Sequence, residues 1–152
     1  MSVAMSNPNF NKIALVTGGA IRIGRAISIA LAEAGYDLVV AHLSSVGPAI
    51  EVQKVVSKLG RRCELVQADL REPTAADTVV ESARQVFGRL DLLVNSAASF
   101  ESSSLLESGA DEWDSVMALN CRAPHLLVRA ASDLLRESHG SVVNIVDLSA
   151  FQ

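Results

Sequence analysis

The chain has 152 residues, of which 49% are apolar and 20% charged, a balance that excludes disorder as a description of the whole. Its 13 Lys and Arg stand against 17 Asp and Glu, a net of -4, with no basic run, which argues against a nucleic-acid partner. The two cysteines, Cys63 and Cys121, are too few for a disulfide framework and lack metal-ligand spacing.

Met1 to Asn11 has neither a basic leader region nor a continuous apolar stretch, and reads as a flexible N-terminal arm. No segment approaches the roughly 20 apolar residues of a membrane helix. The expectation is a cytoplasmic chain whose two cysteines stay reduced and fill core or near-core space. Lys12 to Val16 is an apolar run ending at Thr17-Gly18-Gly19, which predicts a buried strand. Arg22 to Ala34 follows with Ile23, Ala26, Ile27, Ala30, Leu31 and Ala34 on one helical face, and Gly35 as its stop. Asp37 to Ala41 is a second strand. Pro48 opens a helix to Leu59, stopped by Gly60. Cys63 to Gln67 is a third strand, and Pro73 opens a helix to Phe87, stopped by Gly88. Leu90 to Val94 is a fourth strand and Asn95 to Ser108 a polar loop. Asp111 to Arg136 is helical with a break or kink at Pro124, and Ser141 to Val146 is a fifth strand.

Strand and helix alternate, and the strands are apolar without alternation, which predicts a parallel sheet covered on both faces. Right-handed crossovers then give an α/β, Rossmann-like, doubly wound sheet of order 3-2-1-4-5 over residues 12–152. No repeat or interdomain linker divides it.

The first strand-to-helix turn, Thr17-Gly18-Gly19-Ala20-Ile21-Arg22-Ile23-Gly24, lies where backbone amides and a helix N-terminus can receive a pyrophosphate. After the second strand, a carboxylate would bind the ribose 2′-hydroxyl of NAD and repel the 2′-phosphate of NADP. Here the segment is Ala41-His42-Leu43-Ser44-Ser45, with hydroxyls and an imidazole but no carboxylate. NADP(H) is therefore favoured over NAD(H).

On these residues the chain resembles the short-chain dehydrogenase/reductase family, whose glycine motif is Thr-Gly-x-x-x-Gly-x-Gly. Thr17, Gly18 and Gly24 match, and Arg22 stands where the middle glycine usually sits. Arg22 followed by Ile23-Gly24 is similar to the pteridine reductase branch; its guanidinium can pair with phosphate oxygens or stack on a flat ring. The resemblance implies a cofactor role for Asp69-Leu70, with the Asp at the adenine; without it, Asp69 reads as a turn residue. It implies one too for Asn95-Ser96-Ala97, which stands for the family's Asn-Asn-Ala-Gly. Phe100 resembles the aromatic that faces a flat substrate in the branch, or is an ordinary loop aromatic. Asn120 resembles the helix Asn whose carbonyl holds a water in the proton relay. Asp147 occupies the place of the usual catalytic Ser, as it does in pteridine reductases, where it can bind the substrate or move a proton.

The family's Tyr-x-x-x-Lys is not found. Tyr36 is the one tyrosine, and none of Lys12, Lys54 and Lys58 lies four residues after it. The implied function is an NADPH-dependent, pteridine reductase-like oxidoreductase that reduces a C=N or C=O of a flat heterocycle. The substrate class is pterin-like or a carbonyl compound, and the complete protein would be a homo-oligomer. The expectation for these 152 residues alone is a domain truncated after the fifth strand and inactive. Two alternatives are a non-catalytic nucleotide-binding module and a degenerate fragment that needs a partner chain.

Overall fold

The computed structural model describes residues 11–100, 104 and 106–147; apart from Asn11, the expected N-terminal arm lies outside them. In chain order the elements are β1 (Ile13–Thr17), α1 (Arg22–Glu33), β2 (Asp37–His42), α2 (Val46–Lys58), β3 (Cys63–Gln67) and α3 (Ala75–Phe87). They continue with β4 (Leu92–Asn95), α4 (Ala110–Met117), a π-helical turn (Ala118–Arg122), α5 (Ala123–Ser138) and β5 (Ser141–Asn144). The sheet has the expected order β3-β2-β1-β4-β5, and every pair is parallel.

The apolar strands are explained by burial on both faces. Ala14, Leu38 and Val40 pack with Ala32 of α1 and with Ala49, Val52 and Val56 of α2. Leu15, Val39 and Leu93 point the other way, onto Val79 and Ala83 of α3 and Leu127, Ala131 and Leu134 of α5. Each wholly buried Leu or Val contributes on the order of 1.5–3 kcal/mol relative to exposure. The edge strand β5 is exposed throughout.

The structure corrects several expectations. The face that α1 buries is Gly24, Ser28 and Ala32, whereas Ile23 of the predicted apolar face is 62% exposed. Small residues win there because they let the helix axis approach the end of β1 closely. α2 begins two residues before Pro48, since the first turn of a helix leaves its N–H groups unpaired and tolerates proline. α3 begins two residues after Pro73, because the amide of Ala75 first closes a turn onto the Glu72 carbonyl. β4 begins at Leu92; ahead of it Asp91 already bonds Ile13 on one side and Ser141 on the other, while the Leu90 carbonyl accepts the Ser138 hydroxyl. β5 ends at Asn144, two residues earlier than Val146. The predicted break lies just ahead of Pro124, whose missing N–H cannot reach the Asn120 carbonyl four residues back; the chain widens into the π turn there. Cys121 is exposed rather than near-core, and Cys63 is half-buried, its thiol pushed by burial up to about 12. Among the described residues no helix is long and apolar enough to cross a membrane.

At the N-terminal edge of the sheet two carboxylates take up amides at strand starts. Asp91 accepts the Ile13 N–H at 2.8 Å and pairs with Arg89 at 2.6 Å. Asp37 accepts the Arg62 N–H at 2.9 Å and the Asn11 side chain at 3.1 Å. Asp91→Ala should lower unfolding stability in urea by about 1–3 kcal/mol, the cost of orphaning a buried amide. Asp91→Asn keeps an acceptor and should cost less; equal losses would assign the effect to charge instead.

Candidate functional site

The strand order reverses between β1 and β4, and the crevice beyond their C-terminal ends is where an open parallel sheet receives a ligand. Thr17, wholly buried at the end of β1, closes the base of this crevice. Its Oγ1 accepts the amides of Ser96 and Ala97, both at 3.0 Å, and approaches the Val94 carbonyl at 3.4 Å. These two amides are thereby occupied.

Above this latch runs the glycine loop. Gly18 has φ +62°, and a Cβ on it would meet the Ala97 Cα at 3.0 Å. A Cβ on Gly24 would run into the Gly18 carbonyl. Arg22 has φ +49°, a left-handed conformation that glycine adopts freely and arginine does not. Ile21, at the N-cap of α1, supplies no side-chain cap, and the first turn holds no acid. The amides at this end are thus open to an anion, with the helix dipole favouring one. Arg22 and Arg25 are exposed and form no ion pair among the described residues.

α2 repeats the pattern at the end of β2. Ser45 at its N-cap makes no side-chain hydrogen bond, and its first turn is free of acids. Ser44 is exposed beside it, while the imidazole of His42 is buried and its Nδ1 has no partner. At the end of β3, Asp69 is held by Arg71 through contacts of 2.8 and 2.9 Å. That hydrogen bonding holds the Asp69 carboxyl below its ordinary range. Leu70 turns its side chain into the core.

The loop after β4 is fixed from the π turn. Asn120 accepts the Ser99 amide at 3.0 Å and donates to the Ser99 carbonyl at 2.8 Å, spending its whole side chain on one residue's backbone. Phe100, next along, is 81% exposed. Asn95 is buried and donates at 2.8 Å to Asn144, its register partner on β5. Asp147 lies exposed just past β5. Among the described residues, the buried side-chain polar atoms without a partner are His42 Nδ1, Asn95 Oδ1 and Ser99 Oγ, all at this edge. A groove of about 430 Å³ at the opposite edge has its cations engaged already. There Arg62 donates to the Val86 carbonyl and lies over Phe87, and Arg89 is bound to Asp91.

Residues 12–152 match the short chain dehydrogenase family profile. The chain belongs to the short chain dehydrogenase family. It is 34% identical over 140 residues to the short-chain dehydrogenase/reductase FrzI of a Cladobotryum species, covering 92% of this chain and 54% of that one. It is 32% identical over 143 residues to the 2-dehydro-3-deoxy-D-gluconate 5-dehydrogenase of Escherichia coli, covering 93% and 55%. Among solved structures, a short chain dehydrogenase from Burkholderia cenocepacia in complex with NADP superposes with a TM-score of 0.89 at 36% identity, covering 93% and 57%. A blue fluorescent protein from a metagenomic library, in complex with NADPH, gives 0.85 at 34%, again 93% and 57%. The chain thus spans about half the length of the curated relatives it matches.

Against the sequence expectations, the structure gathers Thr17, Gly18, Arg22, Gly24, Asn95, Ser96 and Ala97 around one crevice. Three supporting residues escape sequence reasoning. Ser28 reaches the glycine loop, Asn144 meets Asn95 across the strands, and Arg122 donates at 2.5 Å to the Arg71 carbonyl. Only the Asn144 pairing had a signal, an Asn at matching depth in two neighbouring strands.

Because its folded pKa is depressed, the Asp69–Arg71 pairing contributes above the ordinary carboxylate pKa and is lost as pH falls through the lowered value. Arg71→Gln should return the Asp69 titration to the ordinary range, read by carboxyl NMR. An unchanged midpoint would show that the pairing does not set it.

Proposed function

We propose that this chain forms the nucleotide-binding part of an NADPH-dependent oxidoreductase of pteridine reductase type. The observation that carries the reading is the crevice between β1 and β4, with its tight glycine loop and the uncapped, acid-free start of α1. A cradle that has no room for a Cβ at Gly24, little at Gly18, and open amides at the start of α1 fits a pyrophosphate. Gly18, Arg22, Ile23 and Gly24 would hold that group, with Thr17, Asn95, Ser96 and Ala97 keeping the crevice in shape. Asp69 and Leu70 would border the adenine. His42, Ser44, Ser45 and the open start of α2 would receive a 2′-phosphate, which no carboxylate there repels.

When bound, the reduced nicotinamide supplies the hydride. Arg22, Phe100 and Asp147 would frame a flat heterocycle bearing the C=N or C=O acceptor. Arg22 supports the pteridine branch by its place in the glycine motif, where it stands exposed beside the phosphate cradle in a left-handed conformation. Asp147 can hold a substrate nitrogen or pass it a proton. Asn120, inside the π turn, would offer its carbonyl to a relay water. Oligomerisation would use the exposed apolar side chains Trp113, Met117 and Val128 along α4 and α5. The site of action is the cytoplasm, consistent with two free cysteines.

A second reading is favoured by Tyr36. The one tyrosine stands just before β2, at the edge of the sheet opposite the crevice, where the Lys12 ammonium lies 5.9 Å from its ring. These 152 residues then bind nucleotide without turning over, as a module or as a part that a partner chain completes. Calorimetric titration of the chain should show saturable NADPH binding, tighter than NADH, and assays with biopterin-like and carbonyl substrates should show no turnover. Gly24→Ala should weaken NADPH at least about tenfold, through overpacking of the loop. NADH preferred over NADPH would overturn the 2′-phosphate reading, and no binding of either would overturn the nucleotide site.

A further inference from the structure

We propose that Ser28 is a positioning residue that holds the glycine loop bent around Arg22. For its ligand readout the inference rests on the nucleotide reading above. Ser28 is wholly buried on the second turn of α1, in the stripe Gly24, Ser28 and Ala32 that faces the sheet. Its hydroxyl approaches two carbonyl oxygens, Gly24 at 2.9 Å and Gly19 at 3.0 Å. The contact to Gly24, four residues back, is the ordinary habit of a helical serine. The contact to Gly19 is not, since that residue lies nine positions upstream in the loop, buried at the end of β1.

One hydroxyl therefore ties together the two ends of the segment that contains Arg22. Gly19 precedes Arg22 by three residues and Gly24 follows it by two. The fit is close, because a Cβ added to Gly19 would come within 2.7 Å of Ser28 Oγ. A left-handed arginine persists only where its surroundings over-determine the backbone. The Gly24–Gly18 contact supplies one such constraint, and the Ser28 proton, shared between the two carbonyls, supplies the second. A glycine at position 22 would need neither, as it enters this conformation freely. The role of Ser28 is thus specific: it makes an arginine workable where the family motif has glycine.

A double-mutant cycle of Ser28→Ala and Arg22→Gly in the 152-residue chain tests this. Two quantities are read: hydrogen–deuterium exchange of the amides of 19–24, and the NADPH dissociation constant by calorimetry. With Arg22 present, Ser28→Ala should speed exchange in that segment and weaken NADPH by about fivefold or more, the scale of one lost hydrogen bond. In the Arg22→Gly background the same change should alter either quantity less than about twofold, a coupling expected only for directly interacting groups. Equal effects in both backgrounds, or none with Arg22 present, overturn the proposal. Should Ser28→Ala fold only together with Arg22→Gly, the proposal is supported; failure to fold in both backgrounds overturns it in favour of a general core role. If the parent chain binds no NADPH, the nucleotide reading fails, and the exchange cycle alone decides the role of Ser28.

Discussion

The hydroxyl of Thr17 is the contact on which the rest of the site depends. It ends β1 and takes the first two amides after β4, so the pairing of these neighbouring strands is carried past their ends into the two loops that follow them. Everything above it is placed relative to that latch. Gly18 can lie against Ala97 only because both flank the same hydroxyl, and α1 can start close to the sheet only because Gly24 lies against Gly18. A parallel sheet brings all its strand C-termini to one edge, so one buried hydroxyl at the switch point orders the glycine loop and the loop after β4 together.

The fold was legible wherever burial was two-sided. Runs such as Ala14-Leu15-Val16 and Leu38-Val39-Val40 have no polar alternation because both faces are covered, and they read correctly as parallel strands. The glycine stops read correctly as well. Gly35, Gly60 and Gly88 all take positive φ, which local sequence alone determines. What was not legible depends on distance between elements. On α1 hydrophobicity marks Ile23 and Ile27, whereas close approach to the sheet selects Gly24, Ser28 and Ala32 as the buried face. The π turn was visible only as a disturbance near Pro124, and the clamp of Asn120 on Ser99 spans 21 residues that no local pattern connects.

The candidate site divides in the same way. Thr17, Gly18 and Gly24 lie where the spacing puts them, at the turn between β1 and α1, because such a turn is set by local backbone geometry. Their partners are not. Thr17 and Asn95 read as ligand contacts, yet the structure commits Thr17 to the amides of Ser96 and Ala97 and one amide proton of Asn95 to Asn144. Leu70, a contact by resemblance, has its side chain in the core, so its backbone is what is left to meet a ligand. Side chains that hold a loop and side chains that touch a ligand are of the same types, and only the fold separates them.

The two edges of the sheet differ in how fully their polar groups are paired. At the N-terminal edge Asp37 and Asp91 each collect a backbone amide and a further donor, and the arginines there are bound to carbonyls or carboxylates. At the C-terminal edge His42 Nδ1, Asn95 Oδ1 and Ser99 Oγ are buried without partners, α1 and α2 start with neither a side-chain cap nor an acid in the first turn, and Arg22 occupies a left-handed conformation. Unpaired buried polar atoms and strained backbone both cost stability, and a fold that needed only to be stable would distribute or remove them. Left-handed non-glycine backbone occurs at both edges, at Arg22 and at His139, so strain alone does not separate them; among the described residues it is the orphaned side-chain atoms that gather at the C-terminal edge, and on them the nucleotide reading of that edge leans.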